Sequence, residues 1–237
     1  MAELRAILWD LDGTLIDSDP WWAAAEQAYA ARYGGTWSAA DAAACVGRPL
    51  EVTAQRLQTS CGIDRPVSEI CGELITMMAA TARAQPPRFQ PGARELVEEA
   101  HRVGVRQAVV TLAQGEYVQA VASHLPWFEQ IITGDCVDAP KPDPAAYLLA
   151  MERLGVGPSE CVVVEDSATG IAAGYASGAL TVGLETTGTN LAELNLPGAG
   201  PNRAARRSCG MRREPIALAN LAGVTLPNLR TWHAGRQ

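Results

Sequence analysis

Short apolar runs that alternate with longer amphipathic stretches most restrict the folds open to this chain. The apolar runs have the length of strands and are rich in β-branched residues, and helical patterns lie between them. Continuously apolar strands separated by helices are typical of a parallel sheet covered on both faces. The pattern therefore predicts an α/β fold, with a Rossmann-like parallel sheet and helices on both of its faces. The predicted strands are residues 5–9, 106–111, 130–133, 161–165 and 180–184, and the predicted helices between them are 91–102, 116–125, 144–154 and 168–176.

A long helical segment separates the first strand from the second. It carries four helical patterns, and prolines punctuate the return to the sheet. An insert at this point follows the carboxyl end of a strand, which is where open α/β sheets bind ligands. We therefore expect residues 1–17 and 90–237 to form the core domain and residues 18–89 to form an inserted α-helical cap that selects substrates. The four predicted cap helices are residues 20–32, 39–44, 50–61 and 67–84.

The carboxyl-terminal part of the chain departs from this regular pattern. Residues 186–215 are rich in Gly, Asn, Pro and Arg, and five arginines crowd into residues 203–213. This composition favours a solvated, irregular Arg-rich loop within the core domain over a phosphate or partner site. A last short element is expected at residues 216–221.

Composition argues against several classes of partner. The formal net charge is −7, so a general affinity for nucleic acid or anionic membrane is not expected. No apolar run is long enough to span a bilayer, and the first residues lack a secretory leader pattern. The six cysteines show no metal-ligand spacing, and the three histidines do not cluster. We expect a cytoplasmic protein, a monomer or small homo-oligomer, that acts on a small molecule.

Lysine is almost absent from the chain. Arginine supplies all but one of the 19 basic residues, and the exception is Lys141. A compact ammonium and a planar guanidinium are not interchangeable at a tight site. The single lysine is therefore a candidate for a chemical role.

Two aspartates at the end of the first strand give the strongest chemical signal. Asp10 and Asp12 follow an apolar run at spacing i, i+2, so both can lean to one side as the chain leaves the sheet. Gly13 then permits a tight turn and would leave its amide open to an anion. Two carboxylates this close are poorly tolerated without a cation between them. Mg²⁺ suits that place, because it takes carboxylate oxygens and keeps positions for phosphate and water.

The segment Asp10-Leu11-Asp12-Gly13-Thr14 resembles the first motif of the haloacid dehalogenase-like hydrolase superfamily. Three later segments resemble the other motifs of that superfamily in the expected order, and the resemblance covers residues 4–185. Each segment taken alone has a structural alternative, such as a helix cap or an exposed proline turn. The later segments are Val109-Val110-Thr111, Lys141-Pro142-Asp143-Pro144, and Val162-Val163-Val164-Glu165-Asp166-Ser167 followed by Gly170-Ile171 and Gly174.

The resemblance implies a magnesium-dependent phosphatase that works through an aspartyl phosphate. Asp10 would be the nucleophile, and Asp12 would protonate the leaving group and then deprotonate the attacking water. Lys141 would offset negative charge on Asp10 and on the phosphoryl oxygens. The Thr111 hydroxyl would hydrogen-bond the transferring phosphoryl group.

The same resemblance implies a metal site and a phosphate site. The metal ligands would be Asp10, the carbonyl of Asp12 and Asp166, with Glu165 reaching the metal through water. The amides of Gly13 and Leu112 would help Thr111 to hold the phosphoryl oxygens.

Specificity within the superfamily is read from the cap. Dehalogenases lack the second aspartate, and phosphonatases need a cap lysine that residues 18–89 do not contain. The segment looks most like the small helical cap of β-phosphoglucomutase-like and phosphoglycolate phosphatase-like members. The mutases carry a histidine shortly after the first motif and a lysine in the cap, and both are missing here. A phosphatase of small phosphomonoesters, such as sugar phosphates, is therefore favoured over a phosphosugar mutase or a non-catalytic phospholigand-binding module.

Two cap residues are candidates for substrate binding. Arg48 matches a substrate-facing cap arginine of those relatives, although it could equally be a surface arginine. Trp21 and Trp22 are adjacent and so cannot share one face of a helix. One of them, for which we take Trp22, could line the cleft, while cap packing of both indoles is the alternative.

Overall fold

A six-stranded parallel sheet organises the larger part of the molecule. The computed structural model describes residues 3–45, 48–185 and 214–235, so the predicted Arg-rich loop lies, except for its last two residues, outside the described residues. Within those ranges the strand order is β3-β2-β1-β4-β5-β6, and every neighbouring pair is parallel. The predicted fold class is confirmed. The strands are β1 (Ala6–Trp9), β2 (Arg106–Val110), β3 (Gln130–Ile132), β4 (Cys161–Glu165), β5 (Leu180–Leu184) and β6 (Ile216–Leu218).

Helices cover both faces of this sheet, which is why its central strands are apolar on both sides. On one face, Tyr147 and Met151 pack in a buried cluster with Leu8 of β1. On the other face, the Trp9 indole donates to Gln107 at 3.1 Å. The Gln107 amide in turn donates to the Val97 carbonyl at 3.0 Å. The helices that flank the sheet are α5 (Ala93–Arg102), α7 (Ala145–Leu154), α8 (Ala168–Ser177) and α9 (Leu226–Ala234).

The described chain divides into two compact units. Within the described ranges, the first unit takes in Met1–Ile16, Phe89–Leu112 and Trp127–Gln237 and holds the sheet. The second takes in Asp17–Arg88 and Ala113–Pro126 and is helical. Its helices are α1 (Asp19–Arg32), α2 (Ala39–Ala43), α3 (Leu50–Cys61), α4 (Val67–Ala84) and α6 (Gly115–Ala122).

The helix α6 belongs with the helical unit, although the chain reaches it between two strands of the sheet. Glu116 accepts hydrogen bonds from Thr76 at 2.7 Å and from Arg83 at 2.9 Å, both on α4. The His124 ring lies 3.0 Å from the Ala82 carbonyl. This grouping differs from the predicted domains, which assigned all residues after 89 to the core. Sequence position alone could not reveal the difference, because it depends on which surface α6 packs against.

No helix among the described residues is both long and apolar enough to cross a membrane.

Candidate active site

The strand order brings two acidic residues to the same edge of the sheet. Trp9, the last residue of β1, pairs with Val164 of β4. The next residue, Asp10, donates its amide to the Val164 carbonyl at 3.0 Å. Glu165 ends β4. Because parallel strands end at a common edge, Asp10 and Glu165 become neighbours there although they are distant in the chain.

Lys141 joins these two carboxylates. Its ammonium lies 2.7 Å from Asp10 Oδ1 and 2.6 Å from Glu165 Oε1, and it also donates to the Val110 carbonyl at 2.8 Å. The side chain comes from the segment between β3 and α7, and a cis peptide bond links it to Pro142. With 5% of its surface exposed, Lys141 is a buried cation with three acceptors.

The protonation of this buried group follows from the charges around it. Burial and the charges of Glu165 and Asp166 raise the pKa of Asp10 well above its usual 3.8, while Lys141 opposes them. Burial lowers the pKa of Lys141, but the carboxylates of Asp10 and Glu165 outweigh it and raise that pKa above 10.5. Lys141 therefore stays charged and is one of the groups that favour an ionised Asp10.

Glu165 is held by donors on both of its oxygens. It is fully buried. Besides Lys141, its Oε1 accepts from the Tyr147 hydroxyl at 2.8 Å. Its Oε2 accepts from the amides of Asp166 and Ser167, each at 3.2 Å, and from the Ser167 hydroxyl at 2.9 Å. A carboxylate offers about four lone-pair sites, so these five donors occupy the whole group.

Asp166 is placed by the first motif as well as by its own strand. The Thr14 hydroxyl donates to Asp166 Oδ1 at 3.0 Å. Gly13 lies so close that a Cβ atom there would be 2.3 Å from Asp166 Oδ2. Its φ of +85° is also one that favours glycine. Gly13 is thus needed for the close approach of Asp166.

The predicted role of the Gly13 amide requires correction. That amide donates to the Ile16 carbonyl at 2.9 Å and closes the turn after β1. One N–H group makes one strong hydrogen bond, so the amide is committed to the turn and is not open to an anion. The sequence showed that a tight turn was needed but could not show which carbonyl would close it.

The other predicted residues of the sheet-bearing unit lie near the same strand ends. Thr111 directly follows β2, is buried, and donates its amide to the Ile132 carbonyl at 2.9 Å. Leu112 comes next and is half-buried, and Asp12 is half-buried in the turn after β1. Their contacts with phosphate or metal stay predictions.

The two predicted cap residues belong to the helical unit. Trp22, on α1, meets the ring of Tyr117 edge-on at a centroid distance of 5.7 Å. The Trp22 indole is half-buried. Arg48 is exposed and lies two residues before α3. Their roles in substrate binding stay predictions.

The acidic cluster has the negative charge and the nearby oxygen atoms that favour a divalent cation, with the Glu165 oxygens already hydrogen-bonded to protein donors. Asp10, Glu165 and Asp166 each place a carboxylate oxygen within 4.8 Å of the others. Together with Lys141, the three carboxylates leave two formal negative charges in a largely buried site. A divalent ion would balance these charges, and Mg²⁺ prefers oxygen ligands of this kind. The cluster could therefore hold a metal ion.

Three further residues of the site were not predicted from the sequence: Tyr147, Thr14 and Ser167. Thr14 and Ser167 stood inside the quoted motifs but had been given no role. Ser167 also caps α8, since its hydroxyl accepts from the Gly170 amide at 3.0 Å. Tyr147 lies on α7, where a buried aromatic residue at helical spacing is indistinguishable from ordinary core packing.

Comparison with known proteins agrees with this geometry. Residues 7–184 match the family described as haloacid dehalogenase-like hydrolase. The chain belongs to the haloacid dehalogenase-like hydrolase family. This confirms the resemblance carried by the four motifs, and it places all the residues of the acidic cluster inside the matched range.

Relatives and solved structures refine the place of the chain in this hydrolase family. It is 32% identical to hexitol phosphatase A of Escherichia coli over 73% of this chain and 80% of that protein. It is 47% identical to a CBBY-like protein of Arabidopsis thaliana, but over 38% of this chain and only 30% of that protein. The crystal structure of CbbY from Rhodobacter sphaeroides in complex with phosphate superposes with a TM-score of 0.77 and 24% sequence identity. The match covers 95% of this chain and 99% of the CbbY chain. That likeness bears on the fold.

Several relatives that align with 73–77% of this chain are named phosphatases. The predicted enzyme class, a phosphoric monoester hydrolase of this family, is confirmed by them.

Proposed function

We propose that the protein is a magnesium-dependent phosphatase that hydrolyses a small phosphomonoester, of the sugar-phosphate class, through a phosphoryl group carried on Asp10. The observation that carries the proposal is the buried contact of Lys141 with Asp10 at 2.7 Å, beside Glu165 and Asp166. Phosphoryl transfer brings an anionic nucleophile against an anionic substrate, so positioning and charge balance are most of the catalytic task. This cluster supplies both.

The first half of the reaction is an in-line attack on phosphorus. A carboxylate oxygen of Asp10 forms a bond to the phosphorus atom while the bond from phosphorus to the ester oxygen breaks. The carboxyl group of Asp12 gives its proton to the departing alkoxide, which leaves as a neutral alcohol. Lys141 favours the ionised form of Asp10 for this attack and offsets charge on the phosphoryl oxygens.

The second half releases phosphate. Asp12, now a carboxylate, takes a proton from a water molecule whose oxygen attacks the phosphorus. The bond between phosphorus and the Asp10 oxygen breaks, and the nucleophile is restored. The Thr111 hydroxyl and the Leu112 amide, which follow β2, would orient the phosphoryl oxygens during both halves.

Mg²⁺ would be held by Asp10, the Asp12 carbonyl and Asp166. When bound, it would withdraw charge from the phosphoryl oxygens and offset the repulsion between nucleophile and substrate. The two uncompensated negative charges of the cluster support a divalent rather than a monovalent ion.

The substrate class is supported by the relatives and by the cap sequence. Hexitol phosphatase A is named for a sugar alcohol phosphate, and it is similar over most of both chains. The absence of lysine from residues 18–89 favours hydrolysis over a mutase reaction. A screen of small phosphate esters that ranks hexitol phosphates, sugar phosphates and phosphoglycolate by kcat/KM would identify the leaving group.

Turnover of p-nitrophenyl phosphate tests the reaction itself. We expect release of p-nitrophenol with Mg²⁺, its loss in EDTA and its recovery on adding back Mg²⁺. Asp10→Asn should lower kcat by about a thousandfold or more, because the amide is a poor nucleophile. Asp64→Asn, at an exposed position of the helical unit, is the matched control and should keep full activity.

Two results would contradict the proposal. Full activity in EDTA would show that the reaction does not need a metal ion. Full activity of Asp10→Asn would show that Asp10 is not the nucleophile. Incubation with β-glucose 1-phosphate and a bisphosphate primer separates the phosphatase from a mutase. The phosphatase releases inorganic phosphate, whereas net formation of glucose 6-phosphate would overturn this choice.

A further inference from the structure

Tyr147 contacts the acidic cluster from the helix α7. The residue lies in the first turn of α7, which starts four residues after Lys141, and it is completely buried. Asp143 fixes the start of this helix, because its side chain accepts the Ala145 amide at 2.9 Å. The short connection from Lys141 to Tyr147 therefore presents both side chains to the same buried carboxylate.

The hydroxyl and the ring of Tyr147 each meet a group of the cluster. The hydroxyl donates to Glu165 Oε1 at 2.8 Å, the same oxygen that accepts from Lys141 at 2.6 Å. The Lys141 ammonium also lies 5.1 Å from the centroid of the Tyr147 ring, within the range of a cation–π contact. Tyr147 thus touches both partners of the Lys141–Glu165 ion pair.

Glu165 is consequently occupied by protein donors alone. Tyr147 and Lys141 take Oε1, while the backbone after β4 and the Ser167 hydroxyl take Oε2. A further partner on Oε1 would have to displace one of these two donors. In this arrangement Glu165 anchors Lys141, whose other two acceptors are Asp10 and the Val110 carbonyl.

We propose that Tyr147 is a positioning residue for the reaction, which keeps Glu165 as the anchor of Lys141 and out of the coordination sphere of the metal. The inference rests on the proposed function, since it deepens the role of the same site. It also gives Glu165 a different role from the water-mediated contact with the metal that the resemblance implied. Removing the hydroxyl frees one acceptor position on a carboxylate whose oxygen lies within 4.8 Å of those of Asp10 and Asp166.

Tyr147→Phe is the direct test, because it removes the hydroxyl and keeps the ring beside Lys141. We expect kcat for p-nitrophenyl phosphate to fall about tenfold while KM changes less than twofold. In the substrate-free, EDTA-stripped protein, we expect Mn²⁺ to bind at least threefold more tightly, because Glu165 becomes free to reach the ion. Titration followed by electron paramagnetic resonance measures that binding without any turnover.

Two further variants separate positioning from packing. Tyr29→Phe removes the hydroxyl of a fully buried tyrosine of the helical unit and should leave both readouts unchanged. Tyr147→Leu deletes the ring as well, and it should add a loss of thermal stability to the same change in Mn²⁺ binding. If Tyr147→Phe matches the unaltered protein in kcat and in Mn²⁺ binding, Tyr147 only fills space and the inference is overturned. Failure of the unaltered protein to turn over substrate with Mg²⁺ would instead refute the proposed function.

Discussion

Each compact unit of the molecule buries a glutamate, but the two are surrounded differently. In the sheet-bearing unit, Glu165 accepts five hydrogen bonds, one of them from the ammonium of Lys141. In the helical unit, Glu26 is 6% exposed and accepts from the Trp37 indole at 2.8 Å. Burial raises the pKa of Glu26 to about 7, the Trp37 hydrogen bond opposes that shift, and the charge of Asp19 adds to it.

The difference shows that burial alone does not make an acid functional. A buried charge is tolerated when donors and a counter-charge replace the water it has lost. Glu165 has both and belongs to a cluster that could hold a metal ion. Glu26 accepts from a neutral donor, and its pKa of about 7 lets it take up a proton near neutral pH.

Removing the counter-charge should have the largest effect. Lys141→Met keeps the length of the side chain but leaves Asp10 and Glu165 without their cation. We expect the free energy of unfolding in EDTA to fall by about 3–5 kcal/mol, as for other buried pairs that lose one partner. Urea denaturation followed by circular dichroism measures the change.

The matched control removes an exposed cation from the helical unit. Arg65 pairs with Glu69 and Glu73 at the surface, where water screens the charges. Arg65→Met should therefore leave the urea midpoint almost unchanged. Equal losses in the two variants would erase the distinction between buried and exposed charge pairs in this molecule.

A steric clash with Glu165 should have the next largest effect on the free energy of unfolding. A Cβ atom at Gly170 would lie 1.8 Å from Glu165 Oε1. Since the carboxylate is held on both oxygens, it cannot swing away cheaply, and Gly170→Ala should cost about 2–3 kcal/mol of unfolding free energy. The same urea titration measures this loss.

Gly72→Ala is the matched glycine substitution in the helical unit. Gly72 is exposed on α4, and a Cβ atom there would meet nothing within 4 Å. Because alanine is the better helix former, this change should stabilise the protein by about 0.5–1 kcal/mol. A neutral Gly170→Ala would mean that Glu165 is free to move.

The smallest expected effect is a pH-dependent one at Glu26. Its folded-state pKa of about 7 lies above the value of 4.5 for an exposed glutamate. The folded state therefore binds this proton more tightly, and the stability that it contributes is complete below pH 4.5 and is lost as the pH rises through 7. Glu26→Gln avoids the loss and can still accept from Trp37.

Unfolding at two pH values tests this sign. We expect the free energy of unfolding of Glu26→Gln to exceed that of the unaltered protein by about 1 kcal/mol at pH 8, because relaxation around the carboxylate offsets part of the pKa shift, and by much less near pH 5. Glu51→Gln, at an exposed position of α3, is the control and shows how much a change from Glu to Gln alters stability where the side chain is not buried. A gain that is larger at pH 5 than at pH 8 would reverse the assignment.

The regular elements were largely predictable, because apolar runs and amphipathic periods depend on local sequence. The strands β4 and β5 and the helices α3 and α4 have the predicted bounds. The helix α9 was not predicted, since it is short and carries Pro227 and Asn228 in its first turn. The place of α6 was also missed, because packing partners are not encoded in periodicity.

Residue type and strand ends were enough to predict that Asp10, Lys141 and Asp166 lie together, whereas individual hydrogen bonds were not predictable, and the catalytic roles stay predictions. Asp10, Lys141 and Asp166 stood out by their position at predicted strand ends or by rarity. The hydroxyl of Tyr147 and the closed amide of Gly13 did not, because each depends on one particular acceptor. Glu26 was not singled out either, since a glutamate within an Ala-rich helix looks solvent-exposed in sequence.

The strand order of the sheet determines when the acidic cluster can form during translation. Asp10 precedes Lys141 by 131 residues. In addition, β4 must pair with β1 before Glu165 and Asp166 can lie beside Asp10. Such distant pairings form late, because a long loop must first be closed. A nascent chain therefore contains Asp10 well before it contains Lys141, Glu165 and Asp166, and the acidic cluster can form only after β4 has been translated.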